Sequence, residues 1–215
     1  MDPYASDEEQ VEAIKKWLKT NGGAIITGVA LGIAAILSWQ YWNSYQLSQA
    51  EQASIRYDAL SLAVASDDLV TARQQAEDLI NDYANTTYAA LSGLMLAKFA
   101  AQENNNKSAI DYLQWVLNNS DQDEIKTIAR LRLARIFIAE TRLNEAATIL
   151  EQINDPNFTA EVEELRGDVY LERNEPSKSR SAYEAARAAL GNSSARMFLD
   201  MKLDNLPAAS SQIKP

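Results

Sequence analysis

The stretch LRLARIFIAETRLNEAATILEQI, Leu131 to Ile153, decides how the chain is read. Small Ala134 is followed by Phe137 at +3, Ala146 at +12, Leu150 at +16 and Ile153 at +19. In each half, small and large apolar residues recur at the three- and four-residue intervals that place them on one helix face. The same offsets recur from Gly167 (Tyr170, Ser179, Tyr183, Ala186) and from Ala97 (Ala100, Ala109, Leu113, Val116). A fainter copy starts at Leu60, with Ala63, Ala72, Ala76 and Leu79. Ala97 lies 37 residues after Leu60, Ala134 another 37 on, and Gly167 a further 33.

Helical patterns alternate with polar, mostly Asn- or Asp-containing breaks at 65–68, 81–87, 102–106, 118–124, 154–157 and 173–176. Small residues belong where paired helices cross closely, and the larger ones fill the seam between units. A plain bundle could mimic one such unit, but hardly three in matching register. The pattern is that of tetratricopeptide-like helical hairpins, about 34 residues each and none stable alone. The copies are degenerate: Leu96 and Leu133 precede the small residue in two, Arg166 in a third, and Asn104, Thr141 and Asn174 stand where a turn glycine is expected. After a Gly191 stop and a Ser193 cap, SARMFLDMKLDNL reads as a terminal capping helix, and 207–215 as a disordered tail.

A second pattern precedes the array. From Gly22 to Gln46 no side chain is charged, although the mean hydropathy of the chain is −0.31. Roughly 20 helical residues cross a hydrocarbon core of about 30 Å, so 21–42 is expected to be an uncleaved transmembrane signal anchor. Lys15, Lys16 and Lys19 precede it and only Arg56 follows within fifteen residues of Tyr41, which places the N-terminus in the cytoplasm and the part after the anchor across the membrane. Trp39, Tyr41, Trp42 and Tyr45 form an aromatic belt at the far interface, with Trp17 its near-side counterpart. Ala24, Gly28 and Gly32 recur every four residues, a face on which another membrane helix could pack, although glycine is also simply common in such helices. Residues 1–20 form a cytoplasmic segment with a capping-box pattern at Ser6 and Glu9 and apolar Val11, Ile14 and Leu18. It reads as a membrane-flanking helix or as a docking peptide for a cytoplasmic regulator.

Composition narrows the chemistry. With 30 Asp+Glu against 20 Lys+Arg, the 215-residue chain carries a formal charge of −10, which argues against a nucleic-acid surface. It has no His and no Cys, so triads with a histidine base, thiolate nucleophiles, His-ligated zinc and disulfides are excluded. Asp121–Glu124 lacks the glycine of a calcium loop and reads as a helix start. Glu161, Glu163, Glu164 and Asp168 could in principle pair for glycoside cleavage, but on a repeat scaffold they read as a solvated face. No catalytic, cofactor or metal site is recognised.

The combination resembles the YfgM family, ancillary subunits of the bacterial SecYEG translocon. The resemblance is carried by EEQVEAIKKWLKTNG, the SWQYWNSYQ exit, YAALSGLMLAKFA and AIDYLQWVLNNSDQDEIKTIARLRLARI, and covers residues 7 to about 206. It implies a single-pass protein of the bacterial inner membrane, with residues 43–206 as a periplasmic repeat domain. It also implies association with the translocon and with a membrane-anchored periplasmic chaperone of the parvulin type, and handover of exported polypeptides to the periplasmic chaperone network. On a repeat of this kind, residues three before, one after and four after each small residue would line a concave partner groove. These are Leu94, Lys98 and Ala101; Leu131, Arg135 and Ile138; Glu164, Asp168 and Leu171; the alternative is that some of them simply pack against neighbouring helices.

The reading is therefore an all-α, non-catalytic scaffold: one membrane helix, then a degenerate tetratricopeptide-like array. A general envelope adaptor serving division or outer-membrane biogenesis shares these features apart from the family-like blocks.

Overall fold

The computed structural model describes residues 7–191 and 196–207; the caps expected at Ser6 and Ser193, and the tail beyond Pro207, lie outside them. It is all-helical over the described residues and divides into two compact units between Gln49 and Ala50. Helix α1 (Asp7–Ala65) is followed by α2 (Leu69–Asp82), α3 (Thr87–Gln102), α4 (Asn106–Asn119), α5 (Asp123–Ala139) and α6 (Leu143–Glu151). A 3-10 turn at Pro156–Phe158 leads into α7 (Thr159–Glu172), α8 (Pro176–Leu190) and α9 (Arg196–Asp204).

In the first unit, α1 runs unbroken through the flanking segment and the apolar block, a stretch long and apolar enough to cross a membrane. Polar side chains at its near end close on their own helix: Thr20 Oγ1 donates to the Lys16 carbonyl at 2.9 Å, Asn21 Nδ2 to Trp17 at 3.0 Å and Thr27 Oγ1 to Gly23 at 2.9 Å. A hydroxyl bonded this way does not compete for other partners in hydrocarbon.

The second unit is built from hairpins. The end of α1 pairs with α2, α3 with α4, α5 with α6 and α7 with α8, while α9 packs on α8. Of the twenty positions selected by the repeat offsets, all but half-buried Tyr170 are buried. Within each hairpin the first helix ends the same way. Asp67, Asn104, Thr141 and Asn174, each seven residues after its repeat anchor, take a left-handed φ of 57–62°. The next backbone N–H then reaches back to the carbonyl of the +3 residue: Asp68 to Ala63, Asn105 to Ala100, Arg142 to Phe137 and Glu175 to Tyr170, at 2.8–2.9 Å. This paired-bond helix stop satisfies carbonyls that would otherwise be orphaned, and glycine is its usual left-handed residue. Here none of the four is glycine. Side chains then start three of the following helices. Asp68 accepts from the Thr71 N–H, Thr86 from Ala89 and Asn105 from Ser108.

Close crossings explain the small anchors. A Cβ on Gly167 would sit 2.3 Å from Cδ1 and Cε1 of Tyr183, so the ring of α8 lies flat on the bare backbone of α7. Gly93 does the same for Val116, whose Cγ2 would be 2.6 Å away. The main buried cluster runs from Ala90 on α3 to Val169 on α7, and Gly191, at φ +58°, ends α8. Sequence patterning located these helices, the Gly191 stop and the terminal helix. The stop at Glu140–Arg142 was visible only through Thr141, because no Asn, Asp, Gly or Pro marks it.

Candidate functional site

Along the apolar part of α1 every described residue from Gly23 to Ser48 is exposed. Ala24, Gly28 and Gly32 share one face, and nothing lies within 4 Å of a Cβ built on either glycine. The side chains around them, such as Ile25, Val29 and Ile36, are 40–66% exposed, so this is a smooth, unpartnered apolar surface. Trp42 and Tyr45 follow it with ring centroids 6.4 Å apart.

In the array, the nine groove positions have three fates. Lys98, Ala101 and Arg135 are exposed, Ile138 is half-buried and Leu171 is 36% exposed; these remain available at the surface. Leu94 and Leu131 do not: they are 5% and 4% exposed and belong to the main core. Their expected place on an open groove is corrected, and the physical reason is visible in the backbone. The first helices of neighbouring repeats, α3 and α5, touch at this level, where Arg132 Nη1 donates to the Leu94 carbonyl at 2.7 Å. Sealing a leucine in such a crossing is worth about 1.5–3 kcal/mol, more than a wetted lining would return.

Glu164 and Asp168 have a different partner from the one expected. Lys202, on α9, donates to Glu164 Oε1 at 2.7 Å and to Asp168 Oδ1 and Oδ2 at 2.7 and 2.9 Å. Tyr183 Oη donates to the same Asp168 at 2.6 Å; burial, and then that bond, push the phenol well above its ordinary range. The Lys202 ammonium lies 5.4 Å from the Tyr183 ring centroid and 5.3 Å from that of Phe198. The terminal helix thus closes the acidic end of the array by itself. Glu163 instead pairs with Arg166 on its own helix, so the glutamates weighed for acid–base chemistry hold separate partners. Asp123 and Glu124 form the first turn of α5, where they favour the helix dipole.

Sequence reasoning missed Arg132. It lines, with Lys98, Gln102, Arg135, Ala97, Ala101, Leu113 and Ile136, a pocket of about 510 Å³. The signal was present as R-L-A-R at 132–135, two cations one turn apart on one helix face. Burial, and then the charge of Arg135, pull the Arg132 guanidinium below its usual value.

The comparisons agree with this architecture. The family model of a tetratricopeptide repeat-like domain matches residues 15–208. The chain is 32% identical to the ancillary SecYEG translocon subunit of Escherichia coli K12 over 96% of its own length and 99% of that protein. Its counterpart of the same description in Haemophilus influenzae is 29% identical over 94% and 99%, and that of Neisseria gonorrhoeae 23% over 96% and 100%. No solved structure matches. A repeat register confirmed residue by residue, behind an exposed apolar helix, is therefore matched by relatives along nearly the entire chain, and the chain belongs to the family of ancillary SecYEG translocon subunits, a non-catalytic kind of protein built on tetratricopeptide-like repeats.

Proposed function

We propose that this protein is itself an accessory subunit of the SecYEG translocon in a bacterial inner membrane. The observation that carries the reading is end-to-end similarity to relatives named for that role, anchor included. The N-terminus lies in the cytoplasm, 21–42 crosses the membrane, and the array works in the periplasm. Ala24, Gly28 and Gly32 dock laterally on a membrane helix of the translocon, where small residues let backbones approach. The array receives a membrane-anchored parvulin-type chaperone or the emerging exported chain at Lys98, Arg135 and Ile138, and so assists handover.

In-cell photocrosslinking from Gly28 and from Ile138, with adducts identified by mass spectrometry, tests both surfaces. Translocon subunits at Gly28, with a periplasmic chaperone or exported chains at Ile138, are expected. Adducts only with division or outer-membrane machinery would overturn the function and leave the fold standing.

A further inference from the structure

The pocket between α3, α4 and α5 is chemically unlike the rest of the surface. Three cations converge there, Lys98 from α3 and Arg132 and Arg135 from α5, and no carboxylate lines it. Single bases such as exposed Lys107 lie outside the pocket, whereas three cations share its lining; seven bases elsewhere, Arg56, Arg73, Arg142, Arg166, Lys178, Arg187 and Lys202, each hold an acidic partner. Among the described residues none of the three pocket cations has one, in a chain with ten more acids than bases. Like charges three residues apart on a helix repel, and no carboxylate lining the pocket offsets that repulsion. Arg132 is also held in place, because Nη1 donates to the Leu94 carbonyl at 2.7 Å and its remaining N–H groups are left for another acceptor. The floor between the cations is apolar, formed by Ala101, Leu113 and Ile136.

We propose that this pocket receives an acidic segment of an extended polypeptide, with a Glu or Asp carboxylate set between Lys98, Arg132 and Arg135 and an adjacent apolar side chain on the Ala101–Leu113–Ile136 floor. The inference rests on the reading of this face as the partner surface and names what that surface selects. An incoming carboxylate supplies the counter-charge that partly desolvated Arg132 lacks and turns the repulsion of Arg135 into a shared attraction. The apolar floor adds affinity that a free anion could not use. A long polyanion such as nucleic acid is disfavoured, because one pocket of about 510 Å³ holds only a few side chains and the surrounding chain is strongly acidic.

The test uses the full chain in detergent micelles and two capped hexapeptides of alternating leucine with glutamate or with glutamine, each carrying a neutral dye, read by fluorescence anisotropy. The glutamate peptide is expected to bind at least about tenfold more tightly than its glutamine twin and to lose that margin as salt is raised. Lys98→Gln and Arg135→Gln, both at exposed positions, should each weaken the glutamate peptide by about tenfold, the loss of one charge-assisted hydrogen bond. Lys178→Gln, at a remote exposed base, should leave it unchanged. Equal binding of the two peptides, no binding of either, or indifference to both variants would overturn the proposal. Each of those results leaves the Ile138 crosslinks to be scored separately, so the partner-surface reading stands or falls by its own test.

Discussion

Replacing Gly167 by alanine should destabilise the array, although alanine is the better helix former. Gly167 lies within α7, where the exchange by itself would gain about 1 kcal/mol. Its new Cβ, however, would stand 2.3 Å from Cδ1 and Cε1 of Tyr183, against an ordinary carbon contact of about 3.5–4 Å. The ring is only 1% exposed and is pinned through its hydroxyl to Asp168 at 2.6 Å, so it cannot swing into solvent without dropping that bond. Overpacking of this kind costs about 1–3 kcal/mol, and loss of the hydrogen bond about 1 more. The net expectation is about 1–3 kcal/mol of destabilisation, or roughly 2–12 °C at about 2–4 °C per kcal/mol for a domain of this size. Thermal melts of the full chain in micelles, followed by circular dichroism at 222 nm, report it. In a Tyr183→Leu background the ring is gone, and the same Gly167→Ala change should cost far less or become stabilising. An unchanged or raised midpoint in the Tyr183 protein would refute the close-crossing account. So would an equal cost in both backgrounds.

Thr141 is β-branched and exposed, and takes a left-handed φ of 61°, so Thr141→Gly should stabilise by about 1 kcal/mol, visible as a higher midpoint in the same melts. Asn104→Gly at the equivalent turn should gain only a few tenths of a kcal/mol, because asparagine tolerates that conformation. The Asp68 carboxylate, which caps α2, is held below its ordinary value of 3.8 chiefly by its hydrogen bond with Thr71. A lowered folded pKa means its contribution is present above 3.8 and fades as the pH falls through the folded value. A pH series of melts should therefore show Asp68→Asn flattening the acid limb, while Asp68→Ala lowers the midpoint at neutral pH. Lys202→Met should strip the counter-charge from Glu164 and Asp168, whose side chains are about a quarter exposed, at a cost of roughly 1–2 kcal/mol. Hydrogen exchange should then rise first in α9, and unchanged protection there would contradict the reading that Lys202 holds α9 on α7.

Much of the array was legible because repetition turns a weak local signal into a strong one. One small–large pattern around Ala134 is compatible with many bundles. The same offsets from Ala97 and Gly167 are hard to obtain otherwise, and the positions so selected, half-buried Tyr170 apart, are buried. The register even marked Thr141, Asn104 and Asn174 as turn residues, because a helix stop needs one left-handed residue at a constant distance from its anchor. The groove was less legible. Offsets from an anchor tell which side of a helix a residue occupies, but they do not tell how near the next helix comes. Leu94 and Leu131 therefore look like lining in the sequence and are core in the structure.

By itself, then, the sequence determined the class of fold, the repeat register, the uncharged block long enough to span a bilayer, and the absence of histidine and cysteine chemistry. These are properties of periodicity and composition, and they are local to each helix. Only the tertiary structure decided which helix faces stay open. It put Lys202 of α9 on Glu164 and Asp168, 38 and 34 residues away, and brought Lys98 to Arg132 and Arg135 around one pocket. The physical reason is that charge pairing and burial depend on distances between elements. Those distances are set by the way small residues such as Gly167 and Gly93 let helices cross, and no single helix encodes them.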